Sequence, residues 1–128
     1  MSRILIVEKE FELRPALEFV LKPFGREVLW VTDAPQAKKT LTPEVALVIA
    51  EYGLSGKANG LDLWKECRKK LPDVPFLLMS GEPDSIFEEL IRKGLECPEF
   101  LLKPFTAQDC RAVVSRLLKA QTADIQAA

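Results

Sequence analysis

The sequence predicts a single α/β domain in which five βα units build a doubly wound parallel sheet. Short apolar runs alternate with longer amphipathic segments along the chain, and its 128 residues suit one hydrophobic core. Because the runs are apolar on both faces, they suit a parallel sheet that helices cover on both sides. Crossovers between parallel strands are right-handed, which distributes the helices over the two faces.

Five short apolar runs are the candidate strands. They lie at residues 4–7, 28–31, 45–49, 76–79 and 100–102. Several carry β-branched residues, and runs this short are typical of buried strands when turn residues bound them.

The first three predicted helices follow from apolar spacing and from residues that start or end helices. Leu17 and Leu21 lie four residues apart and mark the first helix. Asp33 is a plausible cap for a short second helix, with a proline two residues later. The third helix carries Leu61 near its start and ends before Pro72.

The last two predicted helices have clear boundaries. Pro83 begins the fourth, and Gly94 ends it. Thr106 with Asp109 three residues later is a variant of the capping box, so a fifth helix starts there. The amphipathic pattern fades after residue 121.

Composition disfavours several classes of function. The 18 basic and 19 acidic residues give a net charge of −1, so we expect no binding to nucleic acid and none to an anionic membrane. No apolar run approaches the length of a membrane span, and the N-terminus has no secretion signal. These observations favour a cytoplasmic protein.

The cysteine and histidine content narrows the chemistry further. The chain has no histidine, and Cys67, Cys97 and Cys110 form no CxxC pair. A disulfide framework and a zinc site are therefore disfavoured, and free thiols in a reducing compartment are expected. Without histidine, the commonest general base for a serine or cysteine nucleophile is missing.

Polar residues follow four of the apolar runs. Glu8 and Lys9 come after the first run, Glu51 after the third, Ser80 after the fourth and Lys103 after the fifth. One such residue alone is more often a solvated boundary residue or a helix cap. Because the carboxyl ends of parallel strands lie at one edge of the sheet, these positions together predict a site there.

In this order, these residues resemble the receiver domain of bacterial response regulators, the CheY-like family. The most specific segment is FLLKPF at residues 100–105, and GLDL at residues 60–63 is a second anchor. The resemblance covers residues 3–119 and implies a flavodoxin-like (βα)5 fold, with strand order 2-1-3-4-5 and three α/β/α layers. We expect a receiver-like domain over residues 1–121 and a C-terminal tail or linker over residues 122–128.

The resemblance also implies a role for each residue at the strand ends. In the family, an Asp after the third strand accepts a phosphoryl group from a histidine kinase, and two acids after the first strand hold Mg²⁺. A hydroxyl and a lysine contact the phosphoryl oxygens, and an aromatic residue changes orientation. These roles fall on Glu51 as phosphoacceptor equivalent, Glu8 and Lys9 as acid pair, Ser80 as hydroxyl, Lys103 as lysine and Phe100 as switch aromatic.

Glu51 departs from the family at the phosphoacceptor position. Its carboxylate lies one methylene further from the backbone, about 1.5 Å for the added bond. Phosphoryl transfer depends on in-line positioning, so the displacement is expected to be costly.

Lys9 is the second departure, in the acid pair. Three carboxylates and one lysine leave excess negative charge that attracts Mg²⁺, whereas two acids and two lysines balance. We therefore predict that the Mg²⁺ site is lost and that no cofactor is needed. The ammonium of Lys9 is expected either in the place of the metal or in solvent, and either Lys9 or Lys103 is expected to pair with Glu51. The resemblance places the family's metal-binding carbonyl near Gly53, in a loop one residue longer than usual.

The leading interpretation is an atypical receiver-like signalling domain of a two-component phosphorelay system, and not an enzyme. It would bind a protein partner, such as a kinase or an output domain, independently of phosphorylation. The expected surface is formed by the fourth helix, the fifth strand and the fifth helix, including parts of residues 87–93 and 108–116. A homodimer, a stand-alone protein and a domain of a longer chain all remain open, as does whether Glu51 imitates phosphorylation or is inert.

Other functions receive less support from the sequence. A phosphorelay through an unconventional acceptor is the main alternative, but Asp62 and Asp84 lie at helix starts, where caps are expected. A flavodoxin-like cofactor binder would need a phosphate-binding loop at residues 8–10, which contain no glycine or hydroxyl. The glycines at residues 53–57 are too closely spaced for a P-loop, and Ala58 stands where Ser or Thr would bind Mg²⁺.

Overall fold

The chain folds into three α/β/α layers around a parallel sheet. The computed structural model describes the backbone of residues 2–81, 83–94, 96 and 98–127, and the side chains of this set other than 83–85, 87 and 120–127. Over these residues, parallel strands pair in the order β2-β1-β3-β4-β5, which confirms the predicted order. The strands are β1 (Arg3–Val7), β2 (Glu27–Val31), β3 (Val45–Glu51), β4 (Phe76–Ser80) and β5 (Glu99–Leu102).

Helices connect the strands and continue the chain after β5. They are α1 (Arg14–Leu21), α2 (Ala34–Thr40), α3 (Gly60–Lys70), α4 (Pro83–Lys93) and α5 (Ala107–Ala127). The α5 backbone is helical up to residue 127, which covers most of the segment predicted as a tail; the division into domain and tail stays a prediction. Within the part of the chain that the structure describes, no helix is both long and apolar enough to cross a membrane.

Side-chain caps fix the starts of three helices. Asp33 accepts a hydrogen bond from the Gln36 amide at 2.8 Å and begins α2, as predicted. Thr106 accepts one from the Asp109 amide at 3.0 Å, which confirms the predicted start of α5. Asp62 also acts in a cap, as expected, through a reciprocal capping box at the start of α3. The side chain of Asp84 lies outside the described set.

The core has one apolar layer on each face of the sheet. In β1, Leu5 and Val7 pack into the layer covered by α2, α3 and α4. Ile4 and Ile6 point the opposite way, into the layer covered by α1 and α5. Full burial of a Leu or Ile side chain contributes about 1.5–3 kcal/mol. Burial on both faces therefore fixes the strands and, with them, the edge where their carboxyl ends meet.

The first residue of α3 lies against the end of β3. A Cβ atom on Gly60 would be 2.5 Å from the carbonyl oxygen of Glu51 and 2.6 Å from Cδ1 of Leu78. The Gly60 amide donates a hydrogen bond of 2.7 Å to the carbonyl of Tyr52. This close approach needs a residue without a side chain and holds the backbone around Glu51 in place.

Candidate functional site

The strand ends bring the predicted site residues to one edge of the sheet. Glu8 directly follows β1, Glu51 ends β3, and Ser80 ends β4. Lys103 follows β5, where its amide donates a hydrogen bond of 3.0 Å to the carbonyl of Ser80. The Ser80 side chain is buried at this edge. The predicted convergence of these positions is therefore present in the fold.

Lys103 contacts two carboxylates at once. Its Nζ forms a close ion pair with Oε2 of Glu51 and lies 3.4 Å from Oε2 of Glu8. The side chain of Glu8 is fully buried, that of Glu51 is 13% exposed, and that of Lys103 is 25% exposed. The amide of Glu10 donates a hydrogen bond of 3.0 Å to the other oxygen of Glu8. The expectation that Glu51 pairs with one of the two lysines is confirmed for Lys103.

Burial and the ion pairs have opposite effects on the pKa values of Glu8 and Lys103. Burial raises the pKa of Glu8, and the Glu10 amide and the Lys103 ammonium offset this only in part. Burial alone would lower the pKa of Lys103, but Glu51 and then Glu8 outweigh it and hold that pKa above its ordinary value. Lys103 therefore stays charged at neutral pH.

The raised pKa of Glu8 predicts an unusual pH dependence of stability. In the interval between the ordinary pKa of 4.5 and the higher folded-state pKa, the folded protein binds a proton that the unfolded chain has released. At a pH above both pKa values, the ionised Glu8 therefore lowers the free energy of unfolding. Stability returns as the pH falls and Glu8 takes up its proton in the folded protein. Glu8→Gln should gain stability relative to wild type as the pH rises from about 4.5 towards 7.

Urea unfolding of both proteins across this pH range measures the difference. Glu12→Gln is the matched control, since Glu12 is exposed and the same charge is removed. The control should differ from wild type by an amount nearly independent of pH. A flat difference for Glu8→Gln would contradict the assignment of the buried charge.

Lys9 lies at the rim of the site. Its side chain is exposed, and its Nζ is 3.7 Å from the position that a Cβ atom would take on Gly53. Between these described residues, no ion pair joins Lys9 to Glu8 or Glu51. The ammonium of Lys9 therefore sits beside the loop after β3, and Lys103 is the lysine that contacts the two acids.

Phe100 is half-buried in β5 and pairs in register with Leu78 of β4. Its ring packs against the apolar layer to which α4 contributes Ile86 and Leu90. The residue predicted as the switch aromatic thus faces the α4 side of the sheet, and its switching role stays a prediction.

A polar link that the sequence analysis did not predict joins the residue after β3 to α4. The Tyr52 hydroxyl donates a hydrogen bond of 3.0 Å to Oε2 of Glu89. Lys93 contacts the other oxygen of Glu89 at 2.7 Å, and the Asn59 side-chain amide donates to the Tyr52 hydroxyl at 3.4 Å. The spacing of Glu89 and Lys93 signals their pairing on a helix, but nothing in it points to a tyrosine 37 residues away.

A groove of about 510 Å³ opens beside Lys103, between α1 and the start of α5. Phe19 lines this groove although its side chain is 66% exposed. Arg111 lies over the Phe19 ring at 5.2 Å and donates a hydrogen bond of 3.0 Å to the carbonyl of Val20. In the sequence, a signal for this groove is the aromatic residue Phe19, which lies outside the apolar positions that predict α1.

Known proteins resemble this chain in sequence and structure, although no protein-family model matches it. It is 34% identical over 115 residues to the response regulator RppA of Synechocystis, covering 86% of this chain and 47% of that protein. It is 25% identical over 119 residues to the alkaline phosphatase synthesis transcriptional regulatory protein PhoP of Bacillus subtilis, covering 92% and 49%. The chain therefore spans about half the length of these relatives.

A solved structure extends the likeness to the fold. The non-phosphorylated HemR receiver domain from Leptospira biflexa superposes with a TM-score of 0.76 at 27% identity, covering 92% of this chain and 94% of that one. Fold, strand-end cluster and relatives together define a signalling domain of the flavodoxin-like class. The chain is a CheY-like receiver domain of the two-component response-regulator type.

Proposed function

We propose that this receiver domain takes no part in Mg²⁺-dependent phosphoryl transfer and signals by binding a protein partner independently of phosphorylation. The observation that carries the proposal is the ion pair between Lys103 and Glu51. In a phosphorylatable receiver, the lysine would be available to a phosphoryl group on a shorter acceptor. Here the lysine is neutralised by the carboxylate at the acceptor position itself.

The donor set at the strand ends does not fit a magnesium ion. Mg²⁺ needs carboxylate or carbonyl oxygens in a nearly octahedral arrangement. The two carboxylates present, Glu8 and Glu51, already share the ammonium of Lys103. A second ammonium, that of Lys9, lies beside the Gly53 loop, so a divalent cation there would meet like charge.

The proposed partner surface is formed by α4, β5 and α5. Ile91 of α4 is 80% exposed and Leu102 of β5 is 53% exposed, so both offer apolar contact area. Arg116 of α5 pairs with Glu99 at the start of β5 and adds polar groups to the same region. A mixed surface of this kind suits a kinase, an output domain or a second copy of the chain. The side chain of Phe87, also predicted for this face, lies outside the described set.

We further propose a cytoplasmic location. Cys67 and Cys110 are free, buried thiols, which suits a reducing compartment. Cys97 lies outside the described residues.

Incubation of the purified protein with Mg²⁺ and acetyl phosphate tests the proposal. We expect the intact mass to stay unchanged, because the acceptor carboxylate is displaced and paired. Titration with MgCl₂ should also leave the tryptophan fluorescence unchanged up to millimolar metal. A phosphoryl adduct that peptide mapping places on Glu51, or saturable Mg²⁺ binding, would reject the proposal.

A further inference from the structure

The Tyr52–Glu89 link, defined as Tyr52, Asn59, Glu89 and Lys93, joins three elements next to the proposed signalling site. Tyr52 directly follows Glu51 at the end of β3, Asn59 caps α3, and Glu89 belongs to α4. One hydroxyl therefore contacts the start of α3 and the side of α4 at distances of 3.4 and 3.0 Å.

The backbone of Tyr52 is held firmly. Its amide donates a hydrogen bond of 2.9 Å to the carbonyl of Met79, and its carbonyl accepts one of 2.7 Å from Gly60. The close packing at Gly60 leaves little room for this segment to shift. The hydroxyl is thus fixed relative to the sheet, and α4 packs on the sheet through apolar side chains that include Ile86 and Leu90.

The charges around the link favour a strong hydrogen bond. Lys93 pairs with Glu89, and Lys65 of α3 also lies close enough to favour its ionised form, so the pKa of Glu89 is lowered. Burial and the hydrogen bond to Glu89 raise the pKa of the Tyr52 phenol, to which Asp62 of α3 adds. At neutral pH a neutral hydroxyl therefore donates to a charged carboxylate, the kind of hydrogen bond that contributes most in proteins.

We propose that Tyr52 holds α4 in one fixed position against the end of β3, so that the α4 part of the partner surface is preset without a phosphoryl signal. The positioning itself does not depend on the proposed function, and only its consequence for partner binding rests on it. A domain that was phosphorylated on Glu51 would overturn the proposed function and leave the positioning role intact.

Hydrogen exchange of the α4 amides in Tyr52→Phe is the first test. Phenylalanine keeps the ring and removes only the hydroxyl, so the fold should survive. We expect the α4 amides to exchange roughly tenfold faster than in wild type, because a hydrogen bond to a charged group is lost from the closed state. Glu18→Gln is the matched control, since it breaks the Arg14–Glu18 pair on α1 and should leave α4 exchange unchanged.

The second test uses the fact that Tyr52 is the single tyrosine of the chain. Phenolate absorbance therefore reports Tyr52 alone. Wild type should titrate above the ordinary pKa of 10, and Glu89→Gln should shift the midpoint down. Unchanged α4 exchange in Tyr52→Phe, or equal phenol titrations in wild type and Glu89→Gln, would overturn the positioning role. Faster exchange together with a lowered midpoint would support it.

Discussion

The double variant Lys9→Asp/Glu51→Asp is expected to accept a phosphoryl group from acetyl phosphate in the presence of Mg²⁺, whereas the wild-type domain is not. The first substitution replaces an ammonium at the rim of the site with a carboxylate, so the excess negative charge that draws a divalent cation returns. The second draws the acceptor back by about 1.5 Å. Misplacement by about 1 Å can cost 100-fold in rate, so a large gain is expected in the initial rate of adduct formation.

Matched variants separate the effect of the charge at position 9 from the effect of the acceptor length at position 51. Glu51→Asp alone keeps Lys9 and should bind Mg²⁺ weakly, while Lys9→Asp alone keeps the longer acceptor and should bind the metal without forming an adduct efficiently. Lys39→Asp/Glu51→Asp has the same net charge as the double variant, but its new carboxylate lies on the exposed side of α2. If this control were phosphorylated as fast as the double variant, Lys9 would not be the residue that blocks the site.

Much of the fold could be predicted because short apolar runs alternate with amphipathic segments along the whole chain. Apolar runs such as residues 45–49 can be buried only between two helical layers, and β3 is indeed buried along most of its length. Parallel pairing then places every strand end on one edge, which is why Glu8, Glu51 and Lys103 could be grouped before any distance was known. The strand order came from the family resemblance, since apolar patterning does not distinguish permutations of similar strands.

The sequence pattern did not predict which of the two lysines pairs with Glu51. Charge balance predicts that a lysine meets Glu51, but both Lys9 and Lys103 satisfy it. The choice depends on side-chain direction at the strand ends, where Lys103 turns inward and Lys9 extends over the loop near Gly53. The contact between Tyr52 and Glu89 depends on how α4 packs against the sheet, which local sequence patterns do not predict.

The end of α5 shows a different limit. The amphipathic pattern fades after residue 121 and predicts the end of the domain there. The backbone nevertheless continues as helix to residue 127. Three of the last eight residues are alanines, which favour helix without needing a buried face. Amphipathic periodicity therefore indicates where a helix packs against the core, and helix propensity explains why the helix continues beyond that point.

Replacement of the site lysine, Lys103→Met, is expected to lower the free energy of unfolding by about 3 kcal/mol. Methionine fills a similar volume but leaves Glu8, which is fully buried, and Glu51, which is mostly buried, without a cation. Removal of one partner of a buried ion pair typically costs about 3–5 kcal/mol. The lower end applies because a quarter of the Lys103 side chain is exposed and water already screens part of the interaction.

Urea unfolding at pH 7 of three further variants identifies the cause of this loss. Lys39→Met removes an exposed lysine and should change stability by less than about 0.5 kcal/mol. Adding Glu51→Gln to Lys103→Met should recover part of the loss, and adding Glu8→Gln as well should recover more, because each step removes an unpaired buried charge. If Lys103→Met were no less stable than Lys39→Met, the Lys103–Glu51 pair would not stabilise the fold. If the glutamines restored nothing, the loss would come from packing around the lysine stem, and the pair would no longer account for the stability of the site.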